Sequence, residues 1–412
     1  MKVAWYSPLP PERSGIADYA ALLLPSLRRR LDIAPARRGR PAPRGSDVAV
    51  YHIGNDPNAH AWILDALRRR PGVVVLHDFV LHHLVAGMTL ARGDATGYLD
   101  AMEREAGLPG RLYAHGVIEA RLPPPWEAVP EDFPLAREAL AHATGVIAHS
   151  HYVARRVREA GYGGRLWRIP HPAWTPPDVE PPDVGPGPVI GCYGHLNPTK
   201  RLPALLAAFA ELHARRPDAR LLLVGPAPAG LGPEREIARV GLERSPAVVR
   251  EEYVDEARLW TLMAAADVCV NLRWPTMGET SGTAVRALAL GKALVVSDVG
   301  WFSELPDGVT VKIAPDEYEV PTLAAALELL VSNGEVRAEL SAAARRYAET
   351  ELDVERVAER YAAALEVAAG GDPVADAVLG EVAQAAAEVG IGADSPELSG
   401  IAGRLRELGV VP

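Results

Sequence analysis

A chain of 412 residues is more than one hydrophobic core fills and suits two domains plus an extension. Its net charge of −10 excludes a general nucleic-acid binder, which needs an excess of basic residues on one face. Two cysteines, Cys192 and Cys269, each inside an apolar run, exclude a disulfide framework and read as buried thiols of a reducing compartment.

The chain begins Met1-Lys2-Val3-Ala4-Trp5-Tyr6-Ser7-Pro8 and goes straight into a strand pattern, without a secretory apolar region. No window approaches the roughly 20 apolar residues of a membrane-crossing helix, so a cytoplasmic protein is expected, with peripheral contact at the inner face of a membrane left open. In the first half, strands are predicted at Val3–Tyr6, Val48–His52, Val73–His77 and Val146–His149, with helices at Ala17–Arg30, Ala59–Arg70 and Tyr152–Ala160. Apolar strands alternating with helices indicate a parallel sheet covered on both faces. Arginines run together at 28–30, 37–38 and 68–70; two of those runs end predicted helices, where cations complement the dipole, and read as solvated helix ends. The loop Gly107–Pro134 carries no readable pattern.

A proline-rich stretch from Pro170 to Pro188 is extended and marks the domain boundary. Beyond it the alternation restarts, with strands at Val189–Tyr193, Arg220–Val224, Val268–Leu272, Leu294–Ser297 and Val309–Ile313 and helices at Leu202–Arg215 and Glu256–Ala266. A helix Val354–Ala368 follows and is broken by Gly370-Gly371-Asp372-Pro373. The expected organisation is a first Rossmann-like domain over 1–172, a linker over 173–188, a second such domain over 189–353, a helix over 354–369 and a helical extension over 370–412. Two parallel sheets in series leave a cleft where their strand C-termini face each other, and ligands bind in such crevices.

The segment Gly278-Glu279-Thr280-Ser281-Gly282-Thr283 precedes an Ala/Leu helix that stops at Gly291. Free backbone N–H groups and the positive dipole end make that helix start a natural phosphate site, where Gly282 lets the backbone approach and Thr280, Ser281 and Thr283 add hydroxyls. A plain cap by Thr280 or Ser281 is the bland reading of the same residues. Gly194-His195-Leu196-Asn197-Pro198-Thr199-Lys200-Arg201 opens the second half directly after its first strand, and Lys200 with Arg201 supplies charge for a diphosphate. The full dinucleotide glycine pattern is absent, which lowers an NAD reading. Gly15, in Ser14-Gly15-Ile16, sits where a backbone would approach a ligand across the cleft. His77 and Asp78 end a strand at the crevice edge, so His77 is a candidate contact to substrate hydroxyls. A metal set of His77, Asp78 and His82 is disfavoured by its spacing.

Together these segments, with Val146-Ile147-Ala148-His149-Ser150, Arg168-Ile169-Pro170-His171-Pro172 and Leu221-Leu222-Leu223-Val224-Gly225, resemble the family 4 glycosyltransferases, retaining enzymes with the two-Rossmann-domain architecture called GT-B. The resemblance runs over about 1–368. It implies a nucleoside-diphosphate sugar as donor, held mainly by the second domain, and no required metal. Lys200 matches the family's phosphate-binding lysine, Glu279 the first glutamate of its paired motif, and His77 a histidine near the reacting sugar. The amides of Thr280, Ser281, Gly282 and Thr283 would hold the distal phosphate, and the 354–369 helix would cross back onto the first domain. His195 stands where the family has a basic residue. Arg286 stands where the second, ribose-binding glutamate belongs, with the segment one residue shorter, and arginine accepts no hydrogen bond. Arg286 is expected at the pocket edge, attracting the diphosphate or anchoring Glu279.

The function expected is transfer of a sugar, with retention, to an acceptor that is a glycan, lipid or small molecule. A sugar-nucleotide epimerase or glycogen-phosphorylase-like enzyme on the same architecture, and an inactive nucleotide-sugar-binding protein, stay open as alternatives. Base, sugar, acceptor, linkage and oligomeric state are not specified by these residues.

Overall fold

The computed structural model describes residues 1–370 except 229 and 231, together with residues 385, 386, 391, 395, 400, 401 and 404. Most of the expected 370–412 extension therefore lies outside the described residues. In the first half six strands form one parallel sheet: β1 (Lys2–Tyr6), β2 (Asp32–Pro35), β3 (Val48–Ile53), β4 (Gly72–Leu76), β5 (Ala143–Ala148) and β6 (Arg165–Arg168), in the order β2-β1-β3-β4-β5-β6. In the second, β7 (Val189–Tyr193), β8 (Arg220–Val224), β9 (Val248–Glu251), β10 (Val268–Asn271), β11 (Ala293–Ser297) and β12 (Thr310–Ile313) follow the order β12-β11-β10-β7-β8-β9, again all parallel. Two parallel sheets with helices on both faces are the GT-B arrangement, as expected from the alternation of apolar strands and helices.

Strands β3, β4, β7, β10 and β11 are buried along their whole length, because helices cover both sides of each sheet. The strands the sequence did not reveal, β2, β6 and β9, all lie at sheet edges or carry charge or proline: Pro35 ends β2, arginines flank β6 and Arg250-Glu251 end β9. An edge strand half open to water lacks the unbroken apolar run, and proline is tolerated there.

The 107–134 stretch is not a plain loop. A helix runs over Ala95–Ile118 with non-helical dihedrals at Ala106 and Gly107, and Pro109 sits at the restart, where its missing N–H costs no bond. Its Tyr98, Ala101, Met102 and Ala114 pack with Val85 and Leu135 as a small separate core, and the Tyr98 hydroxyl lies 2.8 Å from His82 Nε2.

The Val354–Ala369 helix crosses back. Val357, Tyr361, Ala364 and Leu365 complete the core face built by Val3, Trp5, Val50 and Leu23, and the Tyr19 and Tyr361 hydroxyls meet at 2.6 Å. The arginine runs are not free helix ends: Arg30 pairs with Glu355 and Glu359 of this crossing helix, Arg29 joins Glu355, and Arg68 pairs with Asp65 and Glu138. Arg29, Arg30 and Arg68 keep 58%, 26% and 38% of their side chains exposed, so these helix ends are solvated, as expected, and paired as well. Among the described residues no helix is long and apolar enough to cross a membrane.

The halves are in direct contact across the cleft. Phe79 N and Val80 N donate to Met277 O at 2.8 and 2.9 Å, and Glu304 accepts from the N–H groups of His151 and Tyr152 at the start of the His151–Glu159 helix. Gly278 makes this possible: a Cβ there would lie 2.8 Å from Phe79 Cβ.

Candidate functional site

In the second sheet, chain order reverses direction between β7 and β10, and a crevice opens at such a switch point. The loops leaving those two strands carry most of the candidate residues. Gly194 follows β7 with φ +91, a conformation glycine adopts without strain, and a Cβ there would lie 3.4 Å from Thr283 Cγ2 and 3.9 Å from Lys200 Nζ. The first loop therefore lies flat against the start of the Gly282–Leu290 helix, with Lys200 beneath it.

Lys200 is 3% exposed, and its Nζ donates to Tyr193 O and to Asn271 Oδ1, each at 3.0 Å. Burial, reinforced by the Arg273 charge, lowers its pKa to about 7. Asn271 ends β10 and ties the cradle together: its amide also donates to Ser281 Oγ and Thr283 Oγ1, at 2.8 and 2.9 Å. Ser281 caps the Gly282–Leu290 helix by accepting from Ala284 N, and Thr280 Oγ1 is buried without a partner among the described residues. A buried cation and an unsatisfied hydroxyl at a capped helix N-terminus are what an anionic group would occupy.

Glu279 is held from three sides. Arg273 Nε lies 2.6 Å from its Oε1, while Oε2 accepts from Met277 N at 2.7 Å and from Thr276 Oγ1 at 3.2 Å. Arg273 also donates to Thr199 Oγ1 in the β7 loop, so it bridges the two loops. From the first half Asp78 faces this group: its carboxyl accepts from Asn55 N at 2.8 Å, and burial together with the Glu279 charge raises its pKa to about 7.

The remaining candidates separate. Gly15 is exposed at the start of the Gly15–Arg28 helix, and a Cβ there would meet nothing within 4 Å, so its Cα opens on free space. His195 is exposed. Arg201 is turned away into a forked pair with the buried Glu319, its Nε 3.1 and 3.2 Å from the two oxygens. A buried carboxylate needs that cation more than an open loop does.

His77 lies in a group of buried rings instead of standing alone at the cleft. Its Nε2 is 2.9 Å from His52 Nδ1, and its ring is 4.8 Å from Tyr19 and 5.1 Å from His149. Burial lowers the pKa of His52, His77, His149 and His171, so these rings are neutral hydrogen-bonding groups near pH 7. His82 pairs with Tyr98 Oη and Phe133 O, away from Asp78, so the metal set does not converge. Among the described residues no group of three or more His, Cys, Asp or Glu is placed to hold a metal ion.

Arg286 departs most from expectation. It neither anchors Glu279, which Arg273 does, nor lies free. Its guanidinium stacks 3.6 Å from the ring centroid of Trp174 in the linker, and Nη2 donates to Glu256 Oε1 at 3.2 Å and to Asp18 Oδ2 at 3.4 Å. Asp18 belongs to the first half and Glu256 to the second, so Arg286 ties the halves together. Sequence reasoning missed Asn271, Glu256 and Trp174. A polar residue closing the apolar run Val268-Cys269-Val270 is a signal for Asn271; nothing local marks the other two.

Residues 187–333 match the family model described as Glycosyl transferases group 1. No curated protein matches the chain significantly. Among solved structures the chain is similar to Anabaena HepE in complex with UDP-glucose, with a TM-score of 0.62 and 18% identity over 89% of this chain and 99% of that one. It is also similar to sucrose-phosphate synthase from Thermosynechococcus elongatus, with a TM-score of 0.61 and 16% identity over 89% and 98% of the two chains. For WaaG, a glycosyltransferase involved in lipopolysaccharide biosynthesis, the TM-score is 0.54 and the identity 14% over 88% and 98%. These likenesses establish the GT-B fold, and the second half carries the sequence signature of group 1 glycosyl transferases.

Proposed function

We propose that the chain is a retaining glycosyltransferase of the family 4 type, moving a sugar from a nucleoside diphosphate to an acceptor hydroxyl. One observation carries this reading: a buried lysine, a capped helix N-terminus and a fixed glutamate converge at the switch point of a sheet whose residues match group 1 glycosyl transferases. That one similar fold binds UDP-glucose supports a nucleotide sugar as donor.

In this mechanism the diphosphate lies against the amides of Thr280, Ser281, Gly282 and Thr283, with Lys200 beneath and Gly15 opposite. Glu279 accepts from donor-sugar hydroxyls, and neutral His77 orients the sugar from the first half. The bond from the anomeric carbon to the phosphate oxygen breaks as the acceptor oxygen bonds the same face, and the acceptor proton passes to the leaving phosphate. The protein stabilises charge growing on the diphosphate and fixes both reactants in place.

Thermal-shift titration with UDP, GDP, ADP and their sugars tests the reading. A ligand at about 100 times its Kd stabilises by about 2.7 kcal/mol, and no shift with any nucleotide would overturn the reading. With the binding donor sugar, the anomeric configuration of the product distinguishes retention from inversion. Incubation without acceptor distinguishes a transferase, which leaves the sugar unchanged or slowly hydrolysed, from an epimerase, which alters it.

A further inference from the structure

Between the halves lies a cleft pocket of about 510 Å³, with Arg13 and Asp18 on one wall, Trp174 from the linker, and Tyr253 and Glu256 on the other. It adjoins the phosphate cradle. Trp174 lines the pocket, would touch a Cβ on Gly282 at 3.6 Å, and carries the Arg286 guanidinium on its face. A diphosphate at the start of the Gly282–Leu290 helix therefore places whatever it is esterified to at the mouth of this pocket.

The pocket offers a particular chemistry. Tyr253 is 55% exposed, and the planar Arg13 cation already lies over its ring, 4.6 Å from the centroid. Its wall thus accepts a flat, polarisable group. Glu256 opens the Glu256–Ala265 helix with its side chain 55% exposed, and one oxygen is fixed by the buried Arg286. A carboxylate oriented by a cation yet open to solvent keeps lone pairs for further donors, and a vicinal diol supplies two of them. Glu256 and Tyr253 share the half that holds the phosphate cradle, so they meet a ligand already seated there. Asp18, on the other half, reaches it only through cleft closure.

We infer that this pocket receives the nucleoside and that Glu256 accepts hydrogen bonds from its ribose hydroxyls, with Arg286 as the residue that positions Glu256. The inference rests on the donor reading above. It resolves the difficulty posed by an arginine that accepts nothing: the acceptor comes from the neighbouring helix, and the arginine orients it.

The test uses calorimetry on the full chain, with whichever of UDP, GDP and ADP binds tightest, its 2′-deoxy and 3′-deoxy forms, and inorganic pyrophosphate. Wild type should prefer the ribonucleotide to at least one deoxy form by about tenfold, the size of one charge-assisted hydrogen bond. Glu256→Gln should lose about tenfold on the ribonucleotide, little on that deoxy form, and leave pyrophosphate binding within about twofold. Asp18→Asn, which removes the other partner of Arg286, should keep the ribose preference. The inference falls if Glu256→Gln retains the wild-type preference, whether its affinities are unchanged or weakened equally, or if Asp18→Asn alone abolishes the preference. Should wild type bind no nucleoside diphosphate, the donor reading fails and the pocket assignment fails with it. Binding with an unaltered preference sinks the pocket assignment alone. The Gln side chain fills the same space at a half-exposed helix start, and equal melting temperatures of the free proteins verify that the fold is kept.

Discussion

Arg273 and Glu279 form a largely buried ion pair, Nε to Oε1 at 2.6 Å, within the loop that leads from β10 to the Gly282–Leu290 helix. The pair sets where the glutamate points before any substrate arrives. We expect Glu279→Gln and Arg273→Met each to lower kcat strongly; the Gln variant should keep its melting temperature, while Arg273→Met, which leaves the largely buried carboxylate without its cation, should lower it. The double variant should be no worse than about the poorer single one, because residues that act as a unit are not additive. Full additivity of the two losses would show that Arg273 does not act through Glu279.

Lys200 carries a pH signature. Its folded pKa lies at about 7, below the ordinary 10.5, because burial disfavours the charged form. Below pH 7 the lysine is charged in both states and the burial cost is felt in full. As pH rises from about 7 toward 10.5 the folded protein releases the proton that the unfolded chain keeps, so the cost fades. Lys200→Met should therefore raise the melting temperature of the free protein most at about pH 6 and least at about pH 10.

The same lysine should regain its proton when a diphosphate arrives. At about pH 8, calorimetry in buffers of different ionisation enthalpy should reveal proton uptake on nucleoside-diphosphate binding. Lys200→Met should abolish that uptake and weaken diphosphate binding about ten- to a hundredfold while sparing the nucleoside. Equal uptake by variant and wild type would remove Lys200 from the phosphate site.

Asp78 titrates in the opposite sense. Burial and the Glu279 charge lift its folded pKa to about 7 from 3.8. The folded protein holds a proton that the unfolded chain loses across that window, so this carboxyl's contribution to stability declines as pH rises from about 4 to 7 and stays low above it. Asp78→Asn, which copies the protonated form, should be neutral near pH 4 and stabilising near pH 8. A constant difference across that range would mean that Asp78 is ionised throughout.

Arg286→Glu should lower both stability and donor affinity. It replaces the cation that joins Asp18 and Glu256 with a third carboxylate beside the two. Removing one partner of a buried pair costs about 3–5 kcal/mol, and the half exposure of both partners here puts the expected loss below that range. Arg286→Met keeps apolar contact with Trp174 and should lose less than the Glu variant in denaturant titrations. Equal stability of all three proteins would make the bridge irrelevant to closure.

The sheets were legible because helices bury both faces of the central strands, which turns each into an apolar run such as Val189-Ile190-Gly191-Cys192-Tyr193. Lys200, Glu279 and the start of the Gly282–Leu290 helix were legible because one loop or one helix end carries their chemistry. Glu256, Trp174 and Glu319 were not, because each acquires its role from a partner far along the chain: Arg286 for the first two, Arg201 for the third. The destination of Arg201 shows the reverse error. Its neighbourhood in sequence suggested a phosphate ligand, and a buried carboxylate 118 residues away takes it instead. Long-range charge pairing leaves no mark on local periodicity.

The crossing helix also orders events in time. On the ribosome, residues 2–168 emerge before the second sheet exists, and one flank of the first sheet waits for Val357, Tyr361 and Leu365, the last described stretch of regular structure to be made. Domains made in vectorial synthesis fold largely as units, N-terminal first. Here the first sheet is translated before the helix that seals it, so its Trp5 and Tyr19 flank lacks that cover until Val354–Ala369 has been made.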